Sequence, residues 1–192
     1  MADVTDATPA EAAPESLATE SHDPAVPEAY SAFMRTGWDD KERELPSFSG
    51  AGRAAERRAR LAEMFPGERL VLPGGGYKVR SYDTDYRFRA DTAHAYFTGN
   101  QTSDAVLVVE DGESVLYARP RSGRETDEFF RDRQYGELWV GKRPSLGELS
   151  ATLGIEVRHI DRLEDALGRS GTSAPGKTRV HRGVSDSVDR LL

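Results

Sequence analysis

Tyr86 to Val109, YRFRADTAHAYFTGNQTSDAVLVV, holds more aromatic, apolar and turn signals than any other part of the chain. Within it Ala95-Tyr96-Phe97-Thr98 has strand composition and is cut by Gly99-Asn100, and the β-rich run Ala105 to Val109 follows. The expectation is two strands joined by a short polar loop. The second strand continues through Glu110-Asp111-Gly112-Glu113 into Ser114-Val115-Leu116-Tyr117-Ala118. An Asp-Gly pair between two β-type runs predicts a hairpin with a two-residue type I′ loop, because glycine enters positive φ without strain.

Working outward, the charge is unevenly spread. Seven of the 33 acidic residues (Asp3, Asp6, Glu11, Glu15, Glu20, Asp23 and Glu28) fall in the first 30 positions, where there is no Lys or Arg. The other 26 acids balance the 26 bases, so the net charge of −7 belongs to the amino-terminal tail. A body near neutrality argues against a nucleic-acid binder that relies on a broad basic surface. The tail is rich in alanine, proline and acids and nearly free of large apolar residues, which predicts disorder over residues 1–26. About 165 residues remain, enough for one domain with its own core. The absence of cysteine removes disulfides, thiolate nucleophiles and Cys-ligated zinc. No basic-then-apolar leader opens the sequence and no run of 18 apolar residues occurs, so the expectation is a soluble, cytoplasmic chain with no membrane partner.

Residues 27–49 read as a docking helix and linker. Tyr30, Phe33, Met34 and Trp38 have the spacing of one helical face, and Pro, Ser and Gly follow from Leu45. Gly52 to Phe65 is the clearest helix, stopped by Pro66-Gly67, with its arginines expected on a solvated face. Arg69 to Leu72 reads as a strand leading into Gly74-Gly75-Gly76, a flexible turn with no Lys-Ser/Thr behind it to make a phosphate loop. Arg80 to Arg89 is densely charged and aromatic, a candidate site loop. Beyond the hairpin, Thr126 to Arg133 predicts a short helix burying Phe129 and Phe130, and Glu137 to Arg143 a short apolar strand or turn. Ser145-Leu146-Gly147-Glu148 fits a capping box opening a helix to Gly154; Ile155 to Ile160 is a strand, and Asp161 opens a last helix ending at Gly168. Residues 169–192 read as a second linker. Together these elements predict a single α/β domain with a mixed sheet over residues 50–168.

Chemistry is sparse. The four histidines, His22, His94, His159 and His181, show no metal-ligand spacing. Asp83 and Asp85 are too few carboxylates for a metal site of their own, and no nucleophile turn of the form G-x-S-x-G occurs. Read alone, the residues describe an α/β domain without its own catalytic constellation.

Several motifs resemble the amino-terminal domain of aminopeptidase P, the Xaa-Pro aminopeptidase of the creatinase and prolidase superfamily. They are Arg80-Ser81-x-Asp83-x-Asp85-Tyr86, Tyr86-Arg87-Phe88-Arg89, Tyr96-Phe97-Thr98-Gly99, the Asp104 to Val108 strand and Glu137-Leu138-Trp139-Val140-Gly141-Lys142-Arg143. The chain departs from the family's usual Ser-Asp-Phe before Tyr-Phe-Thr-Gly, having Thr92-Ala93-His94 instead. The resemblance implies a three-layer-like fold with a ribonuclease H-like motif. It implies a domain that covers one side of an active site, restricts it to short peptides with proline at the second position, and takes part in homo-oligomer contacts. By the matched motifs Asp83 and Trp139 are the substrate-binding residues; no catalytic residue and no metal ligand is expected in this chain. The two manganese ions of the family belong to a catalytic domain that would begin beyond the second linker. The alternative is a free-standing, non-catalytic binding or regulatory module of the same fold.

Overall fold

The computed structural model describes residues 26–39, 41–82, 84–168 and 177–192. The acidic tail expected to be disordered lies outside them, apart from its last residue.

The centre is a five-stranded mixed sheet. Its strands are β1 (Glu68–Pro73), β4 (Val106–Glu110), β5 (Glu113–Ala118), β6 (Glu156–His159) and β7 (Lys177–Val180), in the order β6-β5-β4-β1-β7. The central strand β4 runs antiparallel to both its neighbours, β1 and β5, and each outer strand is parallel to its neighbour. The β4–β5 hairpin forms as expected. Glu110 pairs with Glu113, and the two loop residues Asp111 and Gly112 take φ of 49° and 82°, both positive as a type I′ loop requires.

Alternation along the inner strands sends side chains to two cores, which is why these strands read as unbroken apolar runs. Leu70, Leu72, Leu107, Val109 and Leu116 point to one face. There they meet α2 (Ala51–Met64), α3 (Thr92–Thr98) and α6 (Leu146–Leu153) through Leu61, Phe97, Leu149 and Leu153. Val71, Val106, Val108, Val115 and Tyr117 point to the other, against Leu163 and Leu167 of α7 (Arg162–Gly168) and Val188 of α8 (Asp186–Leu191). Helices on both faces of one sheet make three layers. Among the described residues no helix is long and apolar enough to cross a membrane.

Three readings need correction. Ala95 to Thr98 is not a strand but the end of α3. Asp91 caps that helix by accepting from the amides of Ala93 (2.8 Å) and His94 (3.2 Å), and Gly99 closes it in the left-handed conformation. The partner of β4 is therefore β1, 33 or more residues upstream in the paired register, rather than the run just before it. The arginines of α2 are not all solvated: Arg58 is buried and donates to the Phe97 carbonyl (2.8 Å), and Arg57 donates to that of Tyr96 (3.0 Å). These are carbonyls at the end of α3 that the helix leaves unpaired. Burial holds the Arg58 guanidinium below its ordinary pKa. Finally, the second linker is structured in part. Residues 169–176 lie outside the described set, but β7 adds to the sheet beside β1, and Val188 of α8 enters the second core.

Candidate functional site

The stretch after β5 carries one of the two residues expected to meet substrate. Its first element is α4 (Glu128–Arg131), which buries Phe129 and Phe130 against Met34 as the sequence predicts. The next, α5 (Glu137–Val140), replaces the expected strand or turn by a single helical turn: the Val140 amide donates to the Gly136 carbonyl and the Gly141 amide to that of Glu137. The reason is tertiary. The Glu137 carboxylate is buried, where it accepts from the Arg124 guanidinium (2.6 Å) and from the Arg143 amide (3.2 Å). The Glu137 carboxylate is thus the inward anchor of the turn.

Two glycines bound that turn, for different reasons. A Cβ at Gly136 would lie 2.4 Å from the Asp132 carbonyl oxygen and 2.5 Å from that of Glu128, so only glycine fits under the end of α4. Gly141 has φ of 82°, a left-handed exit that L side chains rarely adopt.

With Glu137 turned inward, Leu138, Trp139 and Val140 face out. Trp139 is 56% exposed. Its indole is nonetheless fixed: Nε1–H donates to the Phe130 carbonyl at 2.7 Å, and the Arg133 guanidinium lies 5.5 Å from the ring centroid. Trp139 is thus a positioned surface aromatic, not a core residue.

Asp83, the second expected residue, lies outside the described residues. The described residues before and after that position form a two-stranded ribbon, β2 (Val79–Ser81) and β3 (Thr84–Asp85), whose residues are exposed. The turn between them includes Tyr82 at positive φ, 98% exposed.

A third cluster escaped the sequence reading. Tyr135 donates its hydroxyl to Asp104 (2.6 Å) and lies beneath the Arg119 guanidinium, 3.7 Å from ring centroid to carbon, with Arg143 at 5.2 Å. Burial, reinforced by the Asp104 carboxylate, pushes the phenol well above its ordinary range, so it stays a protonated donor. Tyr77 reaches Tyr135 edge-on at 6.5 Å and Phe88 at 5.4 Å. This aromatic chain ties the loop after the Gly74-Gly75-Gly76 turn to the α4–α5 segment. No sequence signal marks it, since Asp104 and Tyr135 are 31 positions apart.

Against this geometry the comparisons with known proteins are decisive. A model of the aminopeptidase P N-terminal domain matches residues 54–179. The chain belongs to that family. The aminopeptidase P N-terminal domain match ends inside β7, so it takes in the whole five-stranded sheet but for one residue. Xaa-Pro aminopeptidase 1 of Streptomyces coelicolor is 44% identical over 174 residues, covering 88% of this chain and 34% of the relative. Xaa-Pro aminopeptidase 2 of the same organism is 40% identical over 175 residues, covering 88% and 36%. The chain thus spans about a third of the length of these curated relatives. Among solved structures, Escherichia coli aminopeptidase P with the inhibitor Pro-Leu superposes with a TM-score of 0.58 at 22% identity, over 76% of this chain and 32% of that one, a likeness of fold. Pseudomonas aeruginosa aminopeptidase PepP gives 0.57 at 25% identity, over 76% and 31%.

Proposed function

We propose that the chain acts as the amino-terminal domain of a cytoplasmic Xaa-Pro aminopeptidase, a hydrolase that removes the residue preceding proline from the start of a peptide. In this reading the α5 turn and the β2–β3 ribbon border the substrate, and the domain restricts access to short peptides and joins homo-oligomer contacts. The observation that carries it is Trp139, a fixed indole held 56% exposed between two other exposed apolar side chains. An aromatic side chain of roughly 200 Å² left about half in water forgoes on the order of 2–3 kcal/mol of burial. That free energy is recovered when an apolar ring such as that of proline covers the indole. A carboxylate at Asp83 suits the free ammonium group at the start of such a peptide.

The reading places the two manganese ions of the family in the part of the longer protein that this chain does not span. Among the described residues no group of three or more His, Asp or Glu side chains could hold a metal, so this domain's described residues do not fit the ion pair.

The test is kinetic. In the longer protein, with manganese and an Xaa-Pro-Xaa peptide, Trp139→Ala should raise KM about ten-fold with a smaller change in kcat, the pattern for a lost binding contact worth about 1.4 kcal/mol. Asp83→Asn should act in the same direction. An unchanged KM in both variants would remove the two side chains from the substrate site.

A further inference from the structure

The segment Pro27 to Glu44 lies before the matched domain, which begins at residue 54. Its described residues run beside the α4–α5 segment and are anchored on both sides of Trp139. On the near side Met34 packs with Phe129 and Phe130, and Tyr30 meets Phe130 edge-on at 6.0 Å. Trp38 lies 4.9 Å from the Phe129 ring and donates its own indole N–H to the Met34 carbonyl. Arg35 pairs with Asp127 at 2.6 Å, and Arg124 donates to the Asp39 carbonyl.

On the far side the anchors are polar. Arg43 donates to the Arg143 carbonyl (3.1 Å) and, through both its amide and its guanidinium, to the buried Glu148 carboxylate. Lys142 donates to the Lys41 carbonyl (3.3 Å), and the Ser145 hydroxyl donates to Glu42 (2.6 Å). The run 124–130 and the run 142–148 are thus tied to one continuous segment, and the Trp139 turn bridges the gap between them. The acceptor of the Trp139 indole, the Phe130 carbonyl, belongs to the residue that Tyr30 and Met34 cover.

We infer that Pro27 to Glu44 is an intramolecular strap whose anchors Met34, Arg35 and Arg43 are positioning residues for Trp139. The strap fixes the two ends of the turn, and through Phe130 it fixes the hydrogen bond that sets the indole's pose. This deepens the reading of Trp139 as a substrate-facing residue, but its test needs no substrate, so the two can fail separately.

The chain carries two tryptophans, and each indole reports on a different part of the device. Trp38 belongs to the strap and Trp139 to the turn. Hydrogen exchange of both indole N–H groups is followed by NMR in the full 192-residue chain, with iodide quenching in a Trp38→Phe background. In the double variant Met34→Asp and Arg35→Ala, Trp139 should lose its indole protection. Its quenching constant should rise by a factor of up to about 1.8, the ratio of a fully exposed indole to one now 56% exposed. Arg43→Ala, acting from the other end, should produce the same loss to a smaller degree. If Trp139 keeps its protection in both variants, the strap does not set its pose and the inference is overturned. Should the double variant lose the amide dispersion of β4 and β5, Arg43→Ala decides by the same readout.

Discussion

The sheet and the strap are held by opposite kinds of chemistry. Around the sheet, Leu107 and Leu116 are fully buried among other aliphatic side chains, and their contribution comes from area removed from water. Along the strap the near-side anchors are apolar and aromatic, but those beyond Trp139 are largely ions. The Glu148 side chain is 1% exposed yet charged, with Arg43 32% exposed beside it, and Glu137 with Arg124 repeats the arrangement. Burial by area does not depend on the protonation of any group, whereas a carboxylate taken out of water is worth having only while its donors stay in place. The central sheet should therefore be the robust part, and the segment that poses Trp139 the conditional part.

Leu107→Ala should break the comparison most severely. It opens a cavity between β4 and the helices over it, and should cost on the order of 4 kcal/mol in urea unfolding at neutral pH. A loss below about 1 kcal/mol would mean that the first core repacks freely.

Glu148→Gln should cost about 2 kcal/mol, since a charged acceptor of several hydrogen bonds becomes a neutral one. Its pH dependence sharpens the contrast. The Arg43 guanidinium, with the Arg43 and Ser145 amides, holds the Glu148 carboxyl down at about 2. A folded pKa below the unfolded one means that the stabilisation is present above about 4.5 and is lost as pH falls toward 2. His94, fully buried beneath Gly74, adds a second pH dependence. Burial lowers its pKa from 6.5, so the folded state resists protonation, and stability begins to fall as pH drops below that value. An acid titration of the parent should show both steps, and Glu148→Gln should abolish only the one due to Glu148.

Gly112→Val forces a β-branched residue into φ of 82° at the β4–β5 loop and should cost about 1–2 kcal/mol. The melting temperature reads it, and an unchanged value would mean that the hairpin loop rearranges without penalty. Trp139→Ala should have the smallest effect on folding, below about 1 kcal/mol, because the indole is mostly outside the packed layers. A loss of 3–5 kcal/mol would instead mark it as core.

The pattern that sends Leu70 and Leu72 one way and Val71 the other is local, and so are the Asp111-Gly112 loop and the capping box at Ser145, whose carboxylate and hydroxyl each meet the other residue's amide. Chain chemistry within a few residues was enough to determine β1, β4, β5, α2 and α6, and the motif order was enough to identify the family. The α3 segment shows where local chemistry fails. Ala95 to Thr98 has strand composition, but the cap at Asp91, the Gly99 exit and the fit of His94 against the Leu72 carbonyl at 2.9 Å together favour a helix. Tertiary structure alone decided the turn at Trp139, the reach of Arg58 to the end of α3, and the seating of β7 beside β1. Each depends on a partner between about 10 and 110 positions away, found only when the sheet brings the segments together. Glu137 and Glu148 carry the same lesson: a carboxylate reads as surface in the sequence, and only the arginines folded against it make the interior a place for it.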